Sequence, residues 1–227
     1  MKRRVQRQRR FGQRGSVILE FALISPFLMI MLAGTFTLGM SVNRSIQASN
    51  VNRNAIVLMA RKVDLSRSEN QKMLIRSAAG LKMNIPGTYT PDPNGSGVVI
   101  LSKVVRVGAV ACSVGIPGWN GNPLSCPNYG QYIIAQRIGI GNIARWGSAI
   151  GIPGSPLSSD GSVSDADIAN VSSNRATGFP ALVTGTGFLY LDNDTYTFVG
   201  EMFADMTDLN IMSNWLTAPN IAVRNFS

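Results

Sequence analysis

"GSVILEFALISPFLMIMLAGTFTLGM", residues 15–40, decides the architecture of this chain. The 23 residues from Phe21 to Asn43 carry no charge. At about 1.5 Å per helical residue they cross the roughly 30 Å hydrocarbon core of a bilayer. Lys2, Arg3, Arg4, Arg7, Arg9, Arg10 and Arg14 precede the run, and no cation follows it until Arg44. The positive-inside rule therefore predicts a cytoplasmic N-terminus and export of everything beyond about Val42. A secretory signal would have a shorter apolar region, about 7 to 15 residues, with a small-residue cleavage site after it. One carboxylate, Glu20, stands at the start of the run, where immersion in lipid costs a few kcal/mol and commonly marks function.

The net charge of +9 is mostly this leader: removing its seven cations leaves 9 − 7 = +2. The rest is uneven. Arg44 to Arg106 holds ten basic and three acidic residues, whereas Asp160 to Ser227 holds eight acidic and two basic. No aromatic-plus-basic motif accompanies the cations, so a solvated helix face is expected and nucleic-acid binding is not.

Beyond the apolar run the helix is expected to continue to Lys62. Asn43, Gln47, Asn50, Asn54 and Arg61 fall on one face at helical spacing, with Ala48, Val51, Ala55, Leu58, Met59 and Val63 on the other. "SRSE", Ser66 to Glu69, has the form of a capping box and predicts a second helix to about Met83. From Gly87 to Gly187 the chain carries 17 glycines and eight prolines in 101 residues, which favours short strands joined by turns. Strands are predicted at Val98–Val110, Tyr132–Ile140, Phe188–Leu191 and Thr195–Phe203. Ser155 to Asn174 reads as an exposed loop, and "MTDLNIMSNWL", residues 206–216, as a short helix. "GIPG" at 115–118 and again at 151–154 reads as two similar turns rather than a repeat architecture. The two cysteines, Cys112 and Cys126, lie in the part predicted to be exported, where a disulfide stapling the Gly- and Pro-rich stretch between them is expected.

The chain contains no histidine, which removes the commonest general base, the Ser-His-Asp and Cys-His arrangements, and most zinc sites. The pairs Asp165/Asp167 and Asp192/Asp194 lack the rest of a calcium loop and read as solvated turns. Glu201, Asp205 and Asp208 cluster along the chain, a spacing open to a carboxylate-dyad hydrolase and equally to a polar helix face. No cofactor, metal or catalytic group is expected.

The segment "RGSVILEFALISPFLMIML", residues 14–32, resembles the N-terminus of the TadE-like pseudopilins of the Flp, or tight-adherence (Tad), pilus system. The likeness rests on the basic leader, on Gly15, on Glu20 and Phe21 as the fifth and sixth residues after it, and on "EFAL" (residues 20–23) followed by Pro26. The resemblance implies cleavage after Gly15 by a prepilin peptidase, with Gly15, Ser16, Glu20 and Phe21 as the processing site. It also implies assembly through Ser16, Glu20 and Pro26, the new Ser16 ammonium pairing with Glu20 of a neighbouring subunit. Pro26 removes a backbone donor and should kink the helix near Ala22, either as a harmless bend or as a softening used when the subunit leaves the bilayer.

The expectation is an α+β protein. A leader (1–15) precedes a transmembrane helix (16–42), its membrane-proximal continuation (43–63), and a disulfide-stapled head with short antiparallel strands (64–227). The implied role is that of a non-catalytic minor pseudopilin, TadE-like or short TadG-like, since 227 residues leave no room for the added von Willebrand A-type domain of many TadG-like proteins. The implied partners are the prepilin peptidase, other Tad pseudopilins, the inner-membrane assembly platform and the lipid bilayer, with the head in the periplasm or outside the cell. The alternative is an uncleaved single-span protein with an extracytoplasmic binding or adhesive domain. A membrane-anchored enzyme is disfavoured by the missing histidines.

Overall fold

Forty-seven consecutive residues form one helix, α1 (Arg14–Ala60), in the computed structural model, which describes residues 14–179, 191–205 and 221–227, with side chains from Val17 onward. Its ends lie within two residues of the expected 16–62, and it continues through Pro26 without a break. Ala48, Val51, Ala55, Ile56 and Met59 are buried along one stripe of its second half. That spacing is the helical period, and the stripe is the face that packs on the head.

The second helix is shorter than the capping-box reading implied. α2 (Ser68–Ser77) starts with Arg67 at the N-cap position and no side-chain cap. Ser66 does not cap it, because both its N–H (3.0 Å) and its hydroxyl (2.5 Å) donate to Asp64 Oδ1. The helix stops before Met83, as Ala79–Leu81 tightens into a 3-10 turn around the weak helix former Gly80 and Lys82 turns left-handed at φ 50°.

Four antiparallel strands make one sheet in the order β2-β1-β3-β4: β1 (Gly97–Arg106), β2 (Tyr132–Gly141), β3 (Tyr196–Ala204) and β4 (Ile221–Phe226). The C-terminal strand β4 was not foreseen. Val99 and Leu101 of β1, Met202 and Ala204 of β3 and Ile221 of β4 meet the α1 stripe in one core. Val98, Ile100 and Phe203 face the opposite side, where the long connections cover them together with Trp146. With both faces covered, the first six residues of β1 are all buried. This is why the strand reads as an almost continuous apolar run. Ala135 is left out of register opposite Lys103 and Val104, a bulge in β2, and its carbonyl accepts the Val163 N–H (2.9 Å).

Two stretches fold differently from the sequence reading. β1 ends at Arg106 rather than Val110, because α3 (Ala109–Gly115) begins there. Its orphan N–H groups are taken by a carboxylate from far along the chain: Asp194 accepts from Gly108, Val110 and Ala111, each at 3.0 Å. The expected exposed loop 155–174 is ordered around α4 (Asp165–Asn170), capped by Ser164 Oγ, which accepts the Asp167 N–H at 3.2 Å. Ala169 and Asn174 in this segment are buried. Residues 188–190 of a predicted strand and the predicted helix 206–216 lie outside the described residues. Cys112 of α3 and Cys126 form the expected disulfide.

Candidate functional site

Apart from Thr37, which is buried, the first half of α1 projects its side chains away from the other described elements. Val17, Phe21, Phe27, Met31 and Leu38, spread around the helix, are 65–71% exposed. An 18-residue window here has a mean hydropathy of 2.2 and none of it is buried. Such a surface is stable in lipid or against other apolar helices and not in water. The two threonines satisfy their hydroxyls within the helix: Thr35 donates to the Leu32 carbonyl (3.0 Å) and Thr37 to the Ala33 carbonyl (2.7 Å).

The residues expected to take part in processing stand in the first two turns of this helix. Gly15 and Ser16 follow Arg14, its first residue. Ser16 and Glu20 are four apart, which puts them on one helical face. Glu20 is exposed, as is Phe21 at 69%. Pro26 lies further along, still in the bare half. The disulfide pair is remote from all of these, in the head.

The acidic residues are not arranged as the sequence suggested. Glu201 and Asp205 do not share a polar helix face: Glu201 is fully buried within β3 and Asp205 lies just beyond it. Glu201 accepts from the Ser148 hydroxyl, from the Ala149 N–H (2.9 Å) and from Arg224 Nε (3.0 Å), while Asp205 pairs with Arg145. Nearby Arg137 is pulled down to about 10 because burial penalises its charge, a shift that Glu201 partly offsets. Asp208 lies outside the described residues. Asp194 spends its carboxylate on α3, and Asp165 and Asp167 sit in the first turn of α4.

Sequence reasoning missed Asn52, which is fully buried between α1 and the sheet. Its Nδ2 donates to the carbonyls of Gly200 (2.9 Å) and Val223 (3.2 Å), so one side chain ties α1 to both β3 and β4. Gly200 makes room: a Cβ there would lie 2.6 Å from Ile56 Cγ1. A glycine inside a strand was the available signal, since it marks close approach of another element.

Residues 15–56 match the family model described as TadE-like protein. The match begins at Gly15, spans the bare half of α1 and ends within the half that packs on the head. The TadE-like resemblance of the N-terminal segment is thereby borne out. No match was found among the curated proteins or the solved structures.

Proposed function

We propose that this chain is a non-catalytic, prepilin-type minor subunit of a Tad pilus assembly, held in the inner membrane by the bare half of α1. The leader 1–15 lies in the cytoplasm and the head 64–227 in the periplasm or outside the cell. A prepilin peptidase removes the leader after Gly15. The freed Ser16 ammonium then pairs with Glu20 of a neighbouring pseudopilin, where a lone carboxylate in lipid would be costly and a paired one is compensated. The assembly platform and other pseudopilins are the partners that read this end. The observation that carries the proposal is the position of the TadE-like segment: it starts at Gly15 and covers the apolar cylinder that the head leaves bare.

Intact mass of the protein from its native membrane tests it. Ser16 is the expected N-terminus, and Gly15→Val is expected to retain the leader. Recovery of Met1 or Lys2 at the mature N-terminus overturns the reading in favour of an uncleaved anchor with an adhesive head. Glu20→Gln is expected to insert and be cleaved normally yet fail to join the assembly. Full piliation by that variant would reduce Glu20 to a residue of the membrane edge.

A further inference from the structure

α1 stops at Ala60, and the sheet face it covers continues past it. On that uncovered end Lys103 and Val105 of β1 lie beside Phe198 and Tyr196 of β3. Three adjoining cavities, of about 250, 400 and 420 Å³, share Lys103 and together form one groove reaching from the end of α1 to α3 and α4. Its wall is apolar: Val110 and Val114 of α3 are 62% and 59% exposed, and Tyr196 is 51% exposed. The Lys103 ammonium sits 4.3 Å from the centre of the Tyr196 ring, so this cation lies over the groove's own aromatic wall. Asp160 and Asp165, both exposed, stand on the rim. Asp64, also on the rim near Lys62, is paired with Arg67.

The complementary shape is on the same chain. Opposite the buried stripe of α1, Arg53, Val57 and Arg61 recur every fourth residue and are all exposed. They form a ridge with an apolar centre and a guanidinium at each end. It belongs to the stretch with ten basic and three acidic residues, while both rim carboxylates belong to the stretch with eight acidic and two basic.

We propose that the Arg53–Val57–Arg61 ridge of one copy docks into this groove on a second copy, with Val57 on the apolar wall and the guanidiniums against Asp160 and Asp165. Arg suits the role because its planar fork matches a carboxylate. Ridge and groove are different surfaces, so the contact is heterologous and leaves a free ridge and a free groove for the next copy. It does not depend on cleavage at Gly15.

The test uses the full-length protein in detergent micelles, with self-association followed by sedimentation. Arg53→Glu/Arg61→Glu and Asp160→Lys/Asp165→Lys are each expected to weaken association by about tenfold, since two attractive pairs become repulsive. Mixing the two reversed proteins is expected to restore it, because the acidic ridge of one then meets the basic groove of the other. Arg53→Gln/Arg61→Gln is expected to weaken association less and to flatten its salt dependence, and it answers the question if a reversal fails to fold. A monomeric parent, a reversed variant that associates like the parent, or a mixture without recovery overturns the proposal. Association through the bare half of α1 alone would give the second of these results.

Discussion

The two halves of α1 are one helix with two different surfaces. From Val17 to Leu38 large apolar side chains point in all directions and are more than half exposed. From Ala48 to Met59 only one stripe is apolar and buried, and the opposite side carries Asn50, Arg53, Asn54 and Arg61. Backbone hydrogen bonding is the same in both, so the difference lies wholly in what surrounds the side chains. A cylinder that is apolar all round belongs in lipid or among other apolar helices, and an amphipathic one belongs on a head in water. On the proposed reading the helix links a membrane anchor to the folded domain, and Asn52 fastens its second half to β3 and β4.

If the division holds, damage to the head should leave the anchor intact and the reverse. The largest effect is expected at Glu201. Replacing it with Gln leaves Arg137 and Arg224, both only partly buried, beside a neutral side chain, and breaking such a pair costs up to about 3–5 kcal/mol, less as water screens the arginines. Denaturant unfolding of the head should show that loss while the protein stays in the membrane fraction. Unchanged unfolding would mean that the Glu201 cluster is not what holds Ser148 and β4 to the sheet.

Next comes the disulfide. Cys112 and Cys126 are 14 residues apart, and opening a loop of that size costs about 3 kcal/mol in the chain-entropy model. Cys112→Ser/Cys126→Ser should lower the melting temperature of the head without moving the protein out of the membrane. Thiols that alkylate under non-reducing conditions in the parent would contradict both the bridge and an exported head.

The anchor is tested by Met31→Asp. A carboxylate near the middle of a spanning helix costs about 2.5–3.5 kcal/mol of insertion, so membrane association should fall. Met31 is 71% exposed, and head unfolding should shift by less than about 0.5 kcal/mol. A larger shift would mean that the halves are coupled along the helix.

What was legible in the sequence follows the same division. The extent of α1 was read to within two residues at each end because a long uncharged run followed by the stripe at Ala48, Val51, Ala55 and Met59 carries the period of one helix. The pairing of Cys112 with Cys126 followed from their count. Distant partners hid the rest. Gly108 to Val110 looked like the end of a strand because the carboxylate that caps α3 comes from Asp194. Glu201 looked solvated because Arg224 and Ser148, which neutralise and bond it, come from separate parts of the chain. Asn52 lies on the apolar face of the wheel, but its sheet partners are 148 and 171 residues away, so no local pattern showed what it bonds. Local pattern shows a side chain's face, and only the fold shows what meets it.

The smallest effect separates the halves by acid. Asp64 and Asp160 are both held below the usual carboxylate range, chiefly by the hydroxyls of Ser66 and Ser162 and then by the N–H groups of the same serines. A carboxyl whose folded pKa lies below its unfolded value stabilises the fold above the unfolded pKa, and that contribution is lost as pH falls through the folded one. The unfolded value is near 3.8, so head stability should be insensitive to these two groups at neutral pH and decline only below about pH 4. Both carboxylates are exposed, so the slope should be shallow. Ser66→Ala/Ser162→Ala should flatten it by returning both groups toward their ordinary values, whereas Glu20→Gln in the anchor should leave the head's acid profile in place. Melting temperature against pH for the three proteins decides the matter: if the serine variant and the parent decline alike, the acid limb belongs to other carboxylates in the head, and if Glu20→Gln changes it, anchor and head share their electrostatics.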